Sequence, residues 1–419
     1  MTDDLDALHT ALVERLDTTA AIRDAFAAHP RHLFIPDLVW PDATGLPLHR
    51  TSAPDRWTRL VYGSDAVTTQ ANDGGSGPRN EPSSSSSAPQ VMADMIAAAG
   101  IDEGMRVLEV GTGTGWNAAI LNSLVGEKGS VTSIEIDPGV AALARERLTG
   151  TGVIVRTAAE PPSGEVYDAI IATCAATRIP DGWLAAAEGA VLVLPWSPHP
   201  AAHSTPIVAL AVREGRGSGP FVREAAFMRD RTQRPGDLPF PGLGQKPTPA
   251  ADFPVGSVEL IGSGMMTQLM LMMPGVRLGT GLRPFRGEPG RIVWMGVGQA
   301  WAYVWPDGTV TGGGDRALGE ELGHAYRLLR GAGFPGLESF DLEAVTGQDS
   351  CRVACAALGQ HWDQPRVALT FSSCSSCSCC SSGLFLRLGE PVTAVQVWNA
   401  CVLGAVVRGC RKGHGRQWG

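Results

Sequence analysis

A glycine-rich stretch, residues 106–116, constrains the fold of this chain more than any other feature of its sequence. It reads Arg-Val-Leu-Glu-Val-Gly-Thr-Gly-Thr-Gly-Trp, and helix-compatible residues 117–124 follow it. Apolar residues that run into glycines indicate a buried strand followed by a tight turn. Glycine adopts positive φ and lets the backbone approach a ligand closely. The unpaired N–H groups of the helix N-terminus can bind an anionic group such as a carboxylate. The stretch therefore predicts a strand, a ligand-binding turn and a helix.

Two acidic residues accompany the glycines. Glu109 lies within the first strand, and Glu135 lies near the end of a second predicted strand, residues 130–136. In a doubly wound sheet, an acid about 20 residues beyond the glycines binds the hydroxyls of a ribose. A tight turn without a ligand would account for the glycines alone. The combination with both acids favours a nucleotide-like ligand.

Four stretches together resemble the protein-L-isoaspartate O-methyltransferase family, whose members are class I S-adenosylmethionine (SAM)-dependent methyltransferases. The glycine-rich stretch resembles the family's motif I, and Ser-Ser-Ala-Pro at 86–89 resembles its active-site segment. Residues 167–173 resemble its fourth strand, and residues 28–36 resemble its N-terminal signature with Pro-Arg-His. The resemblance covers roughly the first 235 residues and implies SAM as the cofactor.

The fold that this resemblance implies is α/β, a Rossmann-like class I methyltransferase sheet with helices on both faces. We predict an N-terminal helical segment and a serine-rich active-site loop in residues 1–90, and the SAM-binding core in residues 91–235. Prolines and glycines between 235 and 256 indicate a boundary. A smaller α+β accessory domain, expected to bind peptide, would occupy residues 236–365. A low-complexity or poorly ordered tail, residues 366–419, would end the chain.

The serine run before residue 88 is the predicted catalytic segment. Residues 72–87 are poor in apolar side chains and rich in residues that break regular structure, so a disordered linker is the alternative. However, the run leads into a predicted helix, residues 90–99, where hydroxyls and N–H groups meet. By the resemblance, Ser87 corresponds to the family's active-site serine, and Ser84, Ser85 and Ser86 line the cofactor.

The remaining cofactor contacts implied by the resemblance lie at the ends of predicted strands. Glu135 would bind the ribose, and the glycine turn would face the methionine part of SAM. Where the family has Gly-Asp beside adenine, this chain has Ala-Ala-Glu at 158–160, so either Glu160 substitutes for the aspartate or the contact is lost. The full predicted set is Glu109, Gly111, Thr112, Gly113, Gly115, Asn117, Glu135, Ile136, Ala159 and Glu160.

The implied activity is carboxyl O-methylation of an aspartyl or isoaspartyl side chain in a peptide or protein. Such a carboxylate is ionised at pH 7 and needs no strong general base, which suits a site of serines and backbone N–H groups. The methyl ester formed can collapse to a succinimide.

The substrate of this chain is predicted from its added length after residue 235, its serine-rich loop and the stretches 195–197 and 227–234, which together look like a subfamily. The chain is about twice as long as the family's repair enzymes, and it resembles homologues encoded with ribosomally made graspetide and lanthipeptide precursors. There the target is one aspartate of a cyclised precursor peptide, so we expect a role in peptide maturation. General isoaspartate repair is the alternative. A small-molecule SAM-dependent methyltransferase and a non-enzymatic SAM-binding scaffold are further alternatives.

The composition and charge of the chain argue against several other classes of function. The net charge of −8 indicates no nucleic-acid partner, and no apolar run is long enough to span a bilayer. The acidic N-terminus does not resemble a signal peptide, so we expect the cytoplasm. Eight of the nine cysteines follow residue 350, four of them inside a serine tract without a second pair at zinc-finger spacing. No metal site is predicted.

Overall fold

A computed structural model of the chain describes residues 2–41, 46–76, 80–202, 204–234, 238–245, 248–348 and 350–365. The predicted tail, residues 366–419, lies outside this part. The described helices are α1 (Thr2–Glu14), α2 (Ala20–Ala27), α3 (Pro54–Val61), α4 (Pro89–Ala99), α5 (Trp116–Val125), α6 (Pro138–Arg147), α7 (Asp181–Ala186), α8 (Ser257–Gly262), α9 (Met266–Leu271) and α10 (Leu318–Gly331). None of the helices in these ranges has both the length and the apolar character needed to cross a membrane.

The described strands fall into one large sheet, one medium sheet and two strand pairs. They are β1 (Leu38–Val39), β2 (Leu48–His49), β3 (Val67–Ala71), β4 (Pro82–Ser86), β5 (Arg106–Val110), β6 (Ser130–Glu135), β7 (Ile154–Thr157), β8 (Ala169–Ala172), β9 (Val191–Pro195), β10 (Ile207–Arg213), β11 (Arg216–Arg223), β12 (Thr248–Asp252), β13 (Arg277–Phe285), β14 (Glu288–Val297), β15 (Ala300–Val304), β16 (Thr309–Gly313), β17 (Phe340–Val345), β18 (Cys351–Cys355) and β19 (Gln360–Gln364).

The parallel half of the large sheet has the order β7-β6-β5-β8-β9. Successive side chains of a strand point to opposite faces, and here each face has its own apolar core. Val107 and Ile171 belong to the core that α4 and α5 cover, whereas Leu108 and Ile170 belong to the core that α7 joins. The winding direction reverses between β5 and β8. This arrangement confirms the predicted Rossmann-like α/β fold.

The large sheet continues beyond β9 with antiparallel strands, in the order β10-β11-β17-β18-β19. Residues between β11 and β17 form the five-stranded antiparallel sheet β12-β16-β15-β14-β13 together with α8, α9 and α10. Apolar residues of this second sheet, such as Leu278 and Met295, continue one core of the large sheet. Residues 340–364, predicted to lie in an accessory domain, therefore extend the core sheet, while the division into domains stays a prediction.

Two predicted elements near the N-terminus differ from the structure. The serine-rich stretch predicted as a loop is strand β4, which pairs antiparallel with β3. The expected N-terminal helical segment is two helices, because the Thr19 side chain accepts a hydrogen bond from the N–H of Ile22 and starts α2 anew.

A buried arginine of the Pro-Arg-His signature holds the end of β4. The Arg31 side chain is fully buried, and its guanidinium donates hydrogen bonds to the carbonyls of Val61 (2.9 Å), Ser86 (3.0 Å) and Ser87 (2.8 Å). The guanidinium carbon also lies 5.1 Å from the centre of the Trp116 ring. Burial lowers the pKa of Arg31 to about 9, so the group stays charged at pH 7. The N-terminal segment thus fixes the backbone that carries Ser87.

A buried carboxyl group links the first two strands of the parallel half. Glu109 on β5 accepts hydrogen bonds from Asn117 Nδ2 on α5 (2.8 Å) and from Ser133 Oγ on β6 (2.5 Å). The Ser133 hydroxyl also lies 2.6 Å from the hydroxyl of Thr112 in the glycine turn. Burial raises the pKa of Glu109 to about 7, although both hydrogen bonds favour the charged form. This network fixes the turn relative to the sheet.

Replacing Arg31 with Ala should destabilise the fold by about 3 kcal/mol or more, because three buried carbonyls would lose their donors. Urea unfolding of the purified variant measures the effect. Arg56→Ala, at an exposed position of α3, is the control and should change stability by about 0.5 kcal/mol or less. Equal stability of the two variants would contradict the role given to Arg31.

Glu109→Gln should change how stability depends on pH. The pKa of Glu109 is raised from 4.5 to about 7, so the native chain holds a proton that the unfolded chain releases over this range. The protonated carboxyl group of Glu109 therefore contributes to stability at low pH, and this contribution is lost as the pH rises to 7. Between pH 5 and 8 the unfolding free energy of Glu109→Gln should gain about 2 kcal/mol relative to the unsubstituted chain.

Denaturant unfolding at both pH values measures this change. Glu127→Gln, at an exposed glutamate, serves as the control and should change the unfolding free energy by about 0.5 kcal/mol or less. A Glu109→Gln difference that does not vary with pH would rule out a buried proton on Glu109.

Candidate functional site

A cavity of about 360 Å³ lies at the carboxyl edge of the parallel strands. Gly111 and Gly113 after β5, Glu135 at the end of β6 and Thr173 after β8 line its floor. The position is the switch point between β5 and β8, where doubly wound sheets bind their ligands. Strand β4 and residues 225–231 form the other walls.

The glycine turn presents its backbone to this cavity because neighbouring groups leave no room for side chains. Gly111 has φ +96°, and a Cβ there would lie 2.6 Å from Thr173 Oγ1, which donates a 2.7 Å hydrogen bond to the Gly111 carbonyl. Gly113 has φ +53°, and its Cβ would lie 3.1 Å from the Ser85 carbonyl. Any larger residue would push the turn away from Thr173 or from β4.

Glu135 is fixed by backbone donors on both oxygens. Its Oε2 accepts from the N–H of Gly113, and its Oε1 accepts from the N–H of Asp137, each at 3.0 Å. The side chain is buried, but it lines the cavity. Each carboxylate oxygen can accept a further hydrogen bond. Glu135 is therefore able to accept hydrogen bonds from a ligand with two adjacent hydroxyl groups.

The predicted serines face two different spaces. Ser84, Ser85 and Ser87 line the cavity, and Ser85 and Ser87 also line a smaller neighbouring pocket. Ser86 is buried beside Arg31, whose Nε lies 3.4 Å from its hydroxyl, and it lines the same smaller pocket.

The other predicted cofactor residues fall into three groups. Ile136 and Ala159 line the cavity with the glycines and Glu135, whereas Glu109, Thr112 and Asn117 line the smaller pocket. Gly115 and Glu160 are outside the residues that line either space. At Gly115 a Cβ would lie 3.1 Å from Leu148, so this glycine allows close packing rather than ligand contact. Glu160 is exposed, and its carboxylate lies against Gly182.

The segment that roofs the cavity, residues 225–231, contains none of the predicted site residues, although residues 227–234 stood out in the sequence as a subfamily feature. Ala175, just after β8, donates its N–H to the Met228 carbonyl (2.8 Å) and accepts from the N–H of Asp230 (2.9 Å). The segment therefore crosses the carboxyl edge of the sheet as a short parallel bridge. Its sequence signal is a pair of arginines, Arg229 and Arg231, a few residues after β11.

Arg231 connects three parts of the site. It donates to the carboxylate of Asp137 (2.8 Å), to Gln70 Oε1 (2.9 Å) and to the Ser83 carbonyl (3.1 Å), and it lies 3.3 Å from the Asp73 carboxylate. Asp137 also caps α6 by accepting from two backbone N–H groups. Burial would raise the pKa of Asp137, but hydrogen bonds from Gln70, Arg231 and the backbone outweigh it and lower the value to about 2.

Comparison with known proteins agrees with this geometry. Residues 53–203 match the family model "Protein-L-isoaspartate(D-aspartate) O-methyltransferase (PCMT)". A protein-L-isoaspartate O-methyltransferase of Ignicoccus hospitalis is 42% identical over 122 residues, which are 27% of this chain and 57% of that protein. One of Thermococcus onnurineus is 30% identical over 192 residues, which are 43% of this chain and 73% of that protein.

A solved structure of a protein-L-isoaspartate O-methyltransferase aligns with 85% of this chain and 100% of its own, at 19% identity and a TM-score of 0.46. The chain spans about half the length of the first curated relatives that it matches. The Thermococcus relative is matched over nearly three quarters of its length, and the resemblance seen in the sequence is confirmed. The chain belongs to the protein-L-isoaspartate O-methyltransferase family.

Proposed function

We propose that this chain transfers a methyl group from SAM to the carboxylate of an aspartyl or isoaspartyl residue in a peptide or protein. The observation that carries the proposal is one cavity at the switch point, lined by the glycine turn, Glu135 and the serine wall of β4. Family membership names the reaction class, and the cavity supplies a place for both donor and acceptor.

The residues present fit SAM as the donor. Glu135, with one backbone donor on each oxygen, would accept hydrogen bonds from the two ribose hydroxyls. Gly111 and Gly113 would bring backbone close to the methionine part, since a side chain there would meet Thr173 or the Ser85 carbonyl and displace the turn. Ile136 and Ala159 offer apolar contact for the adenine ring. Glu160 is turned towards Gly182, so the family's acidic adenine contact has no counterpart at that position.

The proposed reaction requires the acceptor carboxylate to be aligned with the methyl group of SAM, and it requires no proton transfer. Bound SAM supplies a methyl group on a positively charged sulfonium. The acceptor carboxylate is ionised at pH 7, so the chain needs only to orient it in line and exclude water. The Ser87 hydroxyl would donate a hydrogen bond to that carboxylate. The described lining of the cavity contains no histidine, which agrees with a mechanism that has no general base.

The finer proposal is maturation of a ribosomally made peptide in the cytoplasm, on an aspartate of a cyclised precursor. Residues 236–365 support it, since they lie outside the matched region and add a five-stranded sheet and three strands of the large sheet. This added structure would hold the peptide. The collapse of the ester to a succinimide would follow. General repair of isoaspartyl residues is the alternative, favoured by the match to the family model itself.

Three peptides test the proposal and its alternative. Purified protein and SAM labelled on the methyl group are incubated with a hexapeptide that contains isoaspartate, with its aspartyl twin, and with the aspartyl twin closed into a ring by a side-chain lactam. We expect base-labile label in at least one peptide. Preference for the ring-closed aspartyl peptide supports maturation, and preference for the isoaspartyl peptide supports repair. Transfer to none of them overturns the proposed function.

Ser87→Ala should lower kcat for the preferred peptide by roughly tenfold or more, because an oriented hydroxyl donor to the acceptor would be lost. Binding of SAM, measured by calorimetry, should stay within about twofold. Ser64→Ala, at an exposed serine outside the cavity lining, is the matched control and should leave both quantities unchanged. Unchanged turnover in Ser87→Ala would remove this hydroxyl from the mechanism.

A further inference from the structure

One cation of the cavity lacks an anionic partner among the residues that the structure describes. Arg229 lines the cavity, and its guanidinium donates from Nη1 to the Ser197 hydroxyl (2.6 Å) and from Nη2 to the Ala202 carbonyl (2.7 Å). Both acceptors are neutral. Burial lowers the pKa of Arg229 to about 10, so the guanidinium is charged at pH 7. An arginine has five N–H donors, and these two contacts use only two of them.

The surroundings hold Arg229 in place without neutralising it. The backbone on either side of Arg229, at Met228 and Asp230, is hydrogen-bonded to the backbone of Ala175. The Ser197 side chain is fully buried, and its hydroxyl donates to the His199 carbonyl at 3.0 Å. Burial, with the nearby charges of Arg277 and Arg229, lowers the pKa of His199 to about 3. The imidazole is therefore neutral at pH 7.

The other charges of the roof and of the cofactor side are already engaged. Arg231 is paired with Asp137 and Asp73. The Asp230 carboxylate accepts hydrogen bonds from Thr232 and Gln233. Glu135 is held by backbone N–H groups at the β6 end of the cavity, whereas Arg229 lies at the β8 side, beside Ala175.

We propose that Arg229 forms a carboxylate-binding subsite that receives the acceptor carboxylate, a step that rests on the proposed function. One carboxylate oxygen accepts a charge-assisted hydrogen bond from the guanidinium, and the other oxygen stays available to react. The new bond joins that oxygen to the methyl carbon, the bond from this carbon to sulfur breaks, and its electron pair stays on sulfur. No proton is transferred.

This assignment has a consequence for product release. The methyl ester carries no charge, so it cannot form the ion pair with Arg229 that the substrate forms. The chain would therefore bind its product less tightly than its substrate. It would also distinguish an acidic peptide from its amide twin, which has the same shape without the charge.

The test uses whichever carboxyl peptide the unsubstituted protein methylates faster, together with the amide twin of that peptide as a competitive inhibitor. The unsubstituted protein should bind the carboxyl peptide about tenfold more tightly than the amide, and Arg229→Gln should abolish this preference and raise KM about tenfold. Arg229→Lys should keep the preference because it keeps the charge. Arg213→Gln, at an exposed arginine, removes the same charge outside the cavity and should leave KM unchanged.

A second measurement uses the unsubstituted protein alone and does not depend on how a variant folds. The carboxyl peptide should protect Arg229 from phenylglyoxal, as mapped by mass spectrometry, and the amide twin should not. An active enzyme whose Arg229→Gln variant keeps its KM and its preference overturns the subsite alone, as does equal protection by both peptides. A protein that methylates none of the three peptides overturns the proposed function and the subsite together.

Discussion

The serine strand β4, which forms one wall of the cavity, depends on one buried cation. Strand β4 has few apolar side chains, so packing alone offers little to offset the entropy lost on ordering it. The Arg31 guanidinium supplies the missing interaction by donating to the carbonyls of Ser86 and Ser87. Arg31 lies before residue 53, where the family match begins. The N-terminal helices are thus structural parts of the site, although they contribute no residue to the described lining of the cavity.

The cavity divides into two sides that are organised by different means. On the side of β5 and β6, polar groups satisfy one another, as Glu109 does with Asn117 and Ser133, and Glu135 does with the glycine turn. On the side of β8, the roof segment carries Arg229, whose hydrogen-bond acceptors are neutral. In the proposed reaction, the fixed backbone N–H groups suit SAM, the methyl donor, because its shape is constant. The unpaired charge of Arg229 suits a peptide substrate that is recognised chiefly by the charge of its carboxylate.

The sequence was sufficient to predict those parts of the fold and the site that a local residue pattern determines. The glycine turn, Glu135 and the strands of the parallel half could be predicted because apolar runs, glycines and acid spacing encode them directly. The serine strand could not, since its composition is that of a loop and its stability comes from distant donors. Gly115 has the same local signal as Gly111, but its neighbour Leu148 decides its role. The placement of Arg229 depends on a bridge to Ala175, which no local pattern reveals.

Strand β11 is the border at which the added residues join the core, because β17 pairs along its outer side. It leads within a few residues into the roof of the cavity. A chain shortened before β17 would leave the N–H and C=O groups of β11 that face β17 without partners, while its pairing with β10 would remain. Exposed strand edges of this kind can pair with other chains and cause aggregation. A deletion that removes β17 therefore has to be combined with substitutions that protect this edge, such as charged residues or proline on its outer side.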